Sequence, residues 1–312
     1  LQILKVSNAW RYRFAFLFAA GTVILSHFII RIFSDQLYIN VIKDFSLIRI
    51  LILVYVSIFS AFAGGLVATA VEGSLWEDNS PPTEQIESSV LRKHIEVIGV
   101  PGPEPLAKRI FDNILAISAV VTTFPIWIFI SLVIWLERPG PILFIKNSVT
   151  KGGRNFHQFK FRTMTPGAEI ETGPVLSQKD DSRVLNFGRL LRKTALDELP
   201  QLVNILLGEM SFVGPRPQRT ILVNGYLEIL PEYAKRHRVL PGLSGLAQVA
   251  GDYYLTPRQK LRLDLLYIRY RSLGFDIKLL FLAFLIAFFY RWKDDWDGRL
   301  PRRLLRFGVY KT

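Results

Sequence analysis

Between Asn113 and Leu136 the chain runs for 24 residues without a Lys, Arg, Asp or Glu, and Pro125 stands at the middle of the run. About 20 apolar residues suffice for a helix to cross the hydrocarbon core of a bilayer. A mid-helix proline removes a main-chain hydrogen bond and kinks the helix that holds it. Thr122 and Thr123, just before it, are placed to satisfy freed carbonyls. Read from the residues alone, the run is a kinked membrane span.

Two further apolar runs precede this one. Phe14 to Ile30 is bracketed by Arg13 and Arg31, and Ile50 to Val71 ends near Gly64-Gly65. Both are long enough to span, and the paired glycines allow close helix packing. Lys5, Arg11 and Arg13 precede the first run, which favours a cytoplasmic N-terminus. Two crossings then bring the chain back to the cytoplasm. A third crossing at 113–136 would place the basic sequence beyond it outside, against the positive-inside tendency. The first run lacks a small-residue cleavage site, so no cleavable signal is expected.

Lys and Arg number 39 against 26 Asp and Glu, a formal net charge of +13, and half the residues are hydrophobic. That combination points to anionic lipid surfaces or phosphorylated substrates. Nucleic acid is the other usual partner of such charge, but no nucleic-acid motif is present and none is expected to bind. Cysteine is absent, which excludes disulfides, thiolate zinc sites and cysteine nucleophiles. The four histidines have no metal-ligand spacing, and His94 and His157 read as surface residues.

The chemistry concentrates between Arg189 and Arg219. The acidic pair Asp197-Glu198 follows a basic cluster of Arg189, Arg192 and Lys193, and is followed by Pro200, an apolar run and the turn Gly214-Pro215-Arg216-Pro217. Proline suits the first turn of a helix and not its interior. A helix is therefore expected from about Asp197, with Leu199, Leu202, Val203 and Leu206 facing inward. A start at Thr194, as a capping box with Asp197, would bury Pro200 within the helix. Carboxylates at a helix start are ordinarily stabilised by the dipole alone. Surrounded by cations, the same pair suits a phosphorylated substrate with a divalent metal. Spacing leaves both readings open.

Leu191 to Pro217, LRKTALDELPQLVNILLGEMSFVGPRP, resembles the core signature of the bacterial sugar transferase family, the monotopic phosphoglycosyl transferases. Three more stretches resemble that family's motifs: Lys108-Arg109-Ile110-Phe111-Asp112, Lys160-Phe161-Arg162-Thr163-Met164, and Pro241 to Val249. The resemblance runs from about Lys108 to Ile286 and does not reach the first hundred residues. It implies a mostly helical α+β membrane protein, with a re-entrant membrane helix over 112–136 kinked at Pro125. Interfacial amphipathic helices and a small cytoplasmic α/β catalytic region with few strands would complete it. With two N-terminal transmembrane helices, the expected organisation is spans in 1–73, a linker over 74–107 able to form a short helix over Gln85–Val97, a catalytic domain over 108–290 and a basic interfacial tail over 291–312.

The resemblance also implies the reaction. A UDP-sugar and polyprenyl (undecaprenyl) phosphate would give polyprenyl diphosphate-sugar and UMP, at the cytoplasmic face of a bacterial inner membrane. Asp197 would be the nucleophile and Glu198 the ligand of Mg²⁺. Lys160, Arg162, Arg183, Arg192, Arg216 and Arg236 are the candidate phosphate contacts. Lys160 and Arg162 share a strand face by parity, and the glycines of Pro241–Val249 are expected to turn backbone N–H groups toward an anion. Glu169 to Lys179 reads as a loop able to close over substrate. The chain departs from the family pattern at Ser148, Thr150 and Asp252, where relatives carry Arg, Gly and Arg; Arg258 or Lys260 is a possible substitute for the last. Leu279 to Tyr290 is too short to span and reads as an in-plane helix, and the tail with Trp292 and Trp296 suits a lipid interface. The first hundred residues, which the resemblance does not cover, are the candidate surface for pairing two copies. A non-catalytic scaffold binding anionic lipids is the alternative, and a polytopic transferase is disfavoured by the small number of spans.

Overall fold

The computed structural model describes residues 83–168, 181–250 and 255–290, together with Val54, Tyr55, Ile58 and Phe62. These four are helical and lie in a unit formed by 1–76 and 141–143; residues 77–140 and 144–312 form the other. The remaining parts of the two N-terminal runs, the 169–179 loop, Asp252 and the tail lie outside the described residues.

The second unit is mostly helical with a few short strands. In chain order its elements begin with α1 (Thr83–Ile98), α2 (Leu106–Glu137), β1 (Leu143–Val149, all but its first residue in this unit) and β2 (Asn155–Phe161). They continue with α3 (Asn186–Thr194), α4 (Gln201–Leu206), β3 (Ser211–Val213), α5 (Thr220–Ile229) and β4 (Gly242–Ser244). α6 (Leu246–Ala250), α7 (Pro257–Tyr270) and α8 (Leu273–Leu285) close the list. β1 and β2 pair as a hairpin around a tight turn at Lys151–Gly153. β3 and β4 pair in parallel, Ser211 opposite Gly242 and Val213 opposite Ser244. Their backbones approach so closely that a Cβ on Gly242 would collide with the Gly214 nitrogen.

α2 is the apolar run that opened the sequence reading, and it continues unbroken through Pro125. It is the one described helix long and apolar enough to cross a membrane. Thr122 and Thr123 do not serve the carbonyl of Val121, the one a residue at 125 would normally donate to. They bond back to Ser118 and Ala119, as β-hydroxyl side chains do in helices. One stripe of α2 is buried along its length: Asp112, Ala116, Val120, Phe124, Trp127 and Ile134. The opposite face leaves Ile114, Ile117, Phe129, Leu132 and Trp135 exposed. Both ends are tied to the same unit. Near the start, Lys108 Nζ lies 2.6 Å from Asp276 of α8, and Phe212 N donates to Asp112. At the far end Glu137 accepts from the amides of Asn186 and Phe187 that open α3.

The first tie holds three buried charges, because Lys108 also stands 3.9 Å from Asp112. Tyr267 adds its hydroxyl, donating between Asp276 and the Val213 carbonyl. Replacing Lys108 with Met would leave two buried carboxylates without their cation. We expect a loss of about 3 kcal/mol or more, read as a lowered thermal midpoint of the detergent-solubilised protein.

The segment expected as a linker, with a short helix over 85–97, does hold that helix, and the helix is packed rather than free. α1 contributes Val90 to a buried cluster with Val149, Val223, Leu227, Tyr233, Ala234 and Leu261, flanked by Ile86, Val97 and Ile98. His94, expected at the surface, is wholly buried on the same face. The Pro-rich flanks drew the linker reading, yet the Ile86-Val90-Val97 spacing is that of one helix face. His157 is exposed, as expected.

Candidate active site

Asp197 and Glu198 do not open a helix. α3 ends at Ala195, whose φ of 60° makes it the one described non-glycine residue in the left-handed region. The pair then lies on a single 3-10 turn, Leu196–Glu198, and α4 begins only at Gln201, behind Pro200. A left-handed alanine costs on the order of 1 kcal/mol, and such strain is held where surrounding structure fixes it. Of the predicted inward set Leu202 is buried, Leu199 and Val203 are half-buried and Leu206 is exposed; Gln201, Asn204 and Ile205 are the other inward residues of α4. The reason is polar docking. Asn204 accepts from Phe159 N and donates to the His157 carbonyl, while Gln158 donates to Gln201. Amides bonded to a strand are satisfied in the interior, and a hydropathy pattern reads them as outward.

This docking sets β2 beside the acidic turn. Lys160 Nζ lies 2.7 Å from Glu198 Oε1 and 3.6 Å from Asp197 Oδ2. Arg216, from the Gly-Pro-Arg-Pro turn after β3, grips Glu198 with both terminal nitrogens, at 2.5 and 3.4 Å. The two acids are therefore unlike. Burial pushes the Asp197 carboxyl above its ordinary range; Lys160 opposes this and the Glu198 charge reinforces it. Burial acts on Glu198 in the same sense, but Arg216 and Lys160 together outweigh it and hold that carboxyl well below the usual range.

The other predicted contacts divide. Arg192 donates to Thr163 and its charge acts on Asp197. Arg162 lies one residue beyond β2 and reaches away from the acidic pair, bonding the Ile134 and Arg138 carbonyls at the end of α2. Arg183 is held by Asp181 and the Ala168 carbonyl. Arg236 is buried in an ion pair with Asp264 at 2.8 Å and donates to the Arg216 carbonyl, so it supports Arg216 from behind. The glycine-rich stretch also differs from expectation, since Gly242 N is bonded to the Pro215 carbonyl and Gln248 N to that of Gly245.

One basic residue at the site escaped the sequence reading. Burial drives the Lys146 ammonium well below its ordinary range, and the charges of Lys160, Arg216 and Arg219 add to the effect. Lys146 thus belongs to the cationic group around Glu198. Its signal was strand parity in β1, hidden because Pro139-Gly140-Pro141 marked the stretch as a turn. Lys260 also feels Arg236 and Arg216, which sets it on the Arg216 side of the site. The departures at Ser148 and Thr150 are structural: Ser148 bonds Gln158 across the hairpin and Thr150 bonds the Glu209 carbonyl.

Among the described residues no group of three or more His, Asp or Glu side chains is placed to hold a metal. Mg²⁺, however, is commonly bound by one or two carboxylates together with substrate phosphates. Glu198, beside Asp197 and next to the cations Lys160 and Arg216, fits that pattern.

The sequence profile of the bacterial sugar transferase family matches residues 103–290. The chain belongs to this family. It is 38% identical over 194 residues to the UDP-N-acetylgalactosamine-undecaprenyl-phosphate N-acetylgalactosaminephosphotransferase of Aeromonas hydrophila, covering 60% of this chain and 46% of the relative. It is also 38% identical over 183 residues to the UDP-glucose:undecaprenyl-phosphate glucose-1-phosphate transferase of Xanthomonas campestris pv. campestris, covering 57% and 38%. A third relative, the exopolysaccharide production protein PSS of Rhizobium leguminosarum bv. phaseoli, is 37% identical over 182 residues, 56% of this chain and 91% of the relative. The chain thus spans less than half of the first two and most of the third. α1 lies outside the matched region.

Proposed function

We propose that this protein transfers a sugar 1-phosphate from a UDP-sugar to polyprenyl phosphate, at the cytoplasmic face of a bacterial inner membrane, by way of a covalent intermediate on Asp197. The observation that carries this reading is the asymmetry of the acidic pair. Glu198 is clamped by two cations, whereas Lys160 stands beyond hydrogen-bond length from Asp197. A carboxylate that is buried, raised in pKa and loosely held is suited to attack.

An oxygen of Asp197 forms a bond to the sugar-proximal phosphorus as the bond from that phosphorus to the UMP oxygen breaks, and UMP leaves. An oxygen of polyprenyl phosphate then attacks the same phosphorus, and the Asp197 carboxylate departs unchanged. Lys160 and Arg216 offset the repulsion among the phosphates. Glu198 would hold Mg²⁺, which supplies neutralisation of charge on the leaving group.

The lipid acceptor accounts for the exposed apolar surface. Besides the outer face of α2, α8 leaves Ile277, Phe281 and Phe284 in the open, too large a set for a surface that only meets water. A shallow groove between α2 and α3, lined by Val133, Leu136, Phe187 and Leu190, gives an isoprenoid chain a path beside the helix that leads to Arg192. In this disposition α2 lies with one flank in the leaflet and both ends on the cytoplasmic side.

The test is UMP release by the full chain in nanodiscs, given undecaprenyl phosphate and a panel of UDP-sugars. We expect release with at least one donor, abolished by EDTA and restored by Mg²⁺. Absence of release across the panel with Mg²⁺ present would overturn the proposal.

A further inference from the structure

The buried contact between α1 and the segment Pro231–Arg238 has a use that the transfer reaction does not account for. His94 Nδ1 lies 2.7 Å from the Val90 carbonyl, one turn back in α1. A carbonyl only accepts, so this nitrogen carries the proton. His94 Nε2, 2.7 Å from His237 Nδ1, is then the acceptor in the neutral ring, and His237 Nδ1 is the donor. That leaves His237 Nε2 as a bare lone pair, buried without a hydrogen-bond partner. The pair is thus wired for neutrality: neither ring can take a proton without breaking a hydrogen bond or placing a charge in a site with nothing to receive it.

His237 follows Arg236, whose guanidinium holds Asp264 and the main-chain oxygen of Arg216. Arg216 in turn grips Glu198. A continuous set of short contacts therefore runs from α1 through His237 and Arg236 to the acidic pair. We propose that His94 is a positioning residue, and that its hydrogen bond to His237 is an acid-sensitive clasp that fastens α1 to the catalytic unit and steadies Arg216. The activity part of this inference rests on the catalytic reading above; the clasp itself does not.

The charged surroundings fix the sign. From the Pro231–Arg238 segment, Arg236 and the Tyr233 ring stand beside His237. From the hairpin turn comes Lys151, held by Glu104; from α5, Glu228, paired with Lys93 of α1; and from α7, Asp264, committed to Arg236. Burial pushes His94 below its ordinary value of 6.5, and burial, Arg236 and His94 hold His237 well below it. The docked form thus binds fewer protons than the released one once pH drops below about 6.5. Docking is intact above that pH and weakens as acid is added, by up to about tenfold per pH unit for each histidine.

The experiment is hydrogen–deuterium exchange of α1 amides in the full chain at pH 7.5, 6.5 and 5.5, corrected for intrinsic exchange, beside steady-state UMP release at the same pH values. We expect α1 protection to fall steeply below pH 6.5 in the wild type, with kcat falling in parallel and KM for the UDP-sugar changing little. His94→Gln keeps an acceptor for His237 and cannot titrate. It should retain kcat at pH 7.5 and about halve the steepness of the acid limb. His94→Leu keeps bulk without the acceptor and should lower kcat severalfold at pH 7.5. Unchanged α1 protection between pH 7.5 and 5.5 would refute the clasp. A thermal midpoint lowered in His94→Leu with kcat and acid limb untouched would reduce His94 to a packing residue. If the wild type releases no UMP at all, the catalytic reading fails while the exchange data still decide the clasp.

Discussion

Asp197→Asn is expected to abolish UMP release and trapping of a sugar-phosphate adduct, and to leave the protein at least as thermally stable as the wild type. Loss of a covalent nucleophile lowers kcat on the order of 10⁴-fold or more. The stability half follows from the direction of its pKa shift. Burial raises the Asp197 carboxyl above 3.8 despite Lys160, so the folded chain binds a proton there more readily than the unfolded one. That contribution is present at low pH and is lost as pH rises through the folded value. At neutral pH the ionised side chain, 7% exposed, works against the fold. Asparagine removes the charge and keeps the shape, so the midpoint should stay or rise, as at other sites where function opposes stability. Adduct formation on the Asn variant at the wild-type rate would dismiss Asp197 as nucleophile. A collapse in stability would contradict the electrostatic account of its burial.

The parts of this site that were legible in sequence are those where one local stretch carries the chemistry. Asp197, Glu198 and Arg216 fall within one contiguous signature, and Lys160 within another. The structure joins them because Gln158, Gln201 and Asn204 zip β2 to α4, a link made by amides and thus invisible to a hydropathy pattern. What sequence does not carry is the partner of a long cation. Arg162, Arg183 and Arg236 have the residue type of phosphate contacts, but Asp181 and Asp264 hold the latter two, and Arg162 turns one nitrogen to two helix-end carbonyls while its Nε and Nη1 stay buried without a hydrogen-bond partner. Arg236 and Asp264 are 28 positions apart, and nothing in composition pairs them. α2 was legible as a long apolar helix because composition sets its length. Its tie to the unit at both ends was not, since Lys108, Asp112 and Glu137 find their partners on α8, β3 and α3. α1 shows the same division: the short helix at 85–97 was legible, but flanking prolines hid that its apolar stripe packs into a buried cluster.

Glu198→Gln should also remove most activity, with kcat lower on the order of 10³-fold, but its stability should move the opposite way from Asp197→Asn. Although burial acts to raise its pKa, Arg216 and Lys160 hold the Glu198 carboxyl well below 4.5. Here the folded chain releases the proton more readily than the unfolded one. The stabilisation is present above about pH 4.5 and is lost as pH falls toward the folded value. A glutamine amide can still accept one bond from Arg216, but its NH₂ has nothing to offer Lys160, whose side chain is 15% exposed. Two cations then face each other without the anion that separated them. We expect a loss of about 1–3 kcal/mol, below the full penalty for a broken buried pair because the Arg216 side chain is 40% exposed and water screens it. The variant should also lose the acid limb of the wild-type stability curve below pH 4.5, and raised Mg²⁺ should not restore its rate. Neighbouring carboxylates with opposite effects on the melting temperature, and the same effect on turnover, would mark one as the group that reacts and the other as the group that is held. If both variants shift stability in the same direction, the two acids share one environment and the division of labour between them is wrong.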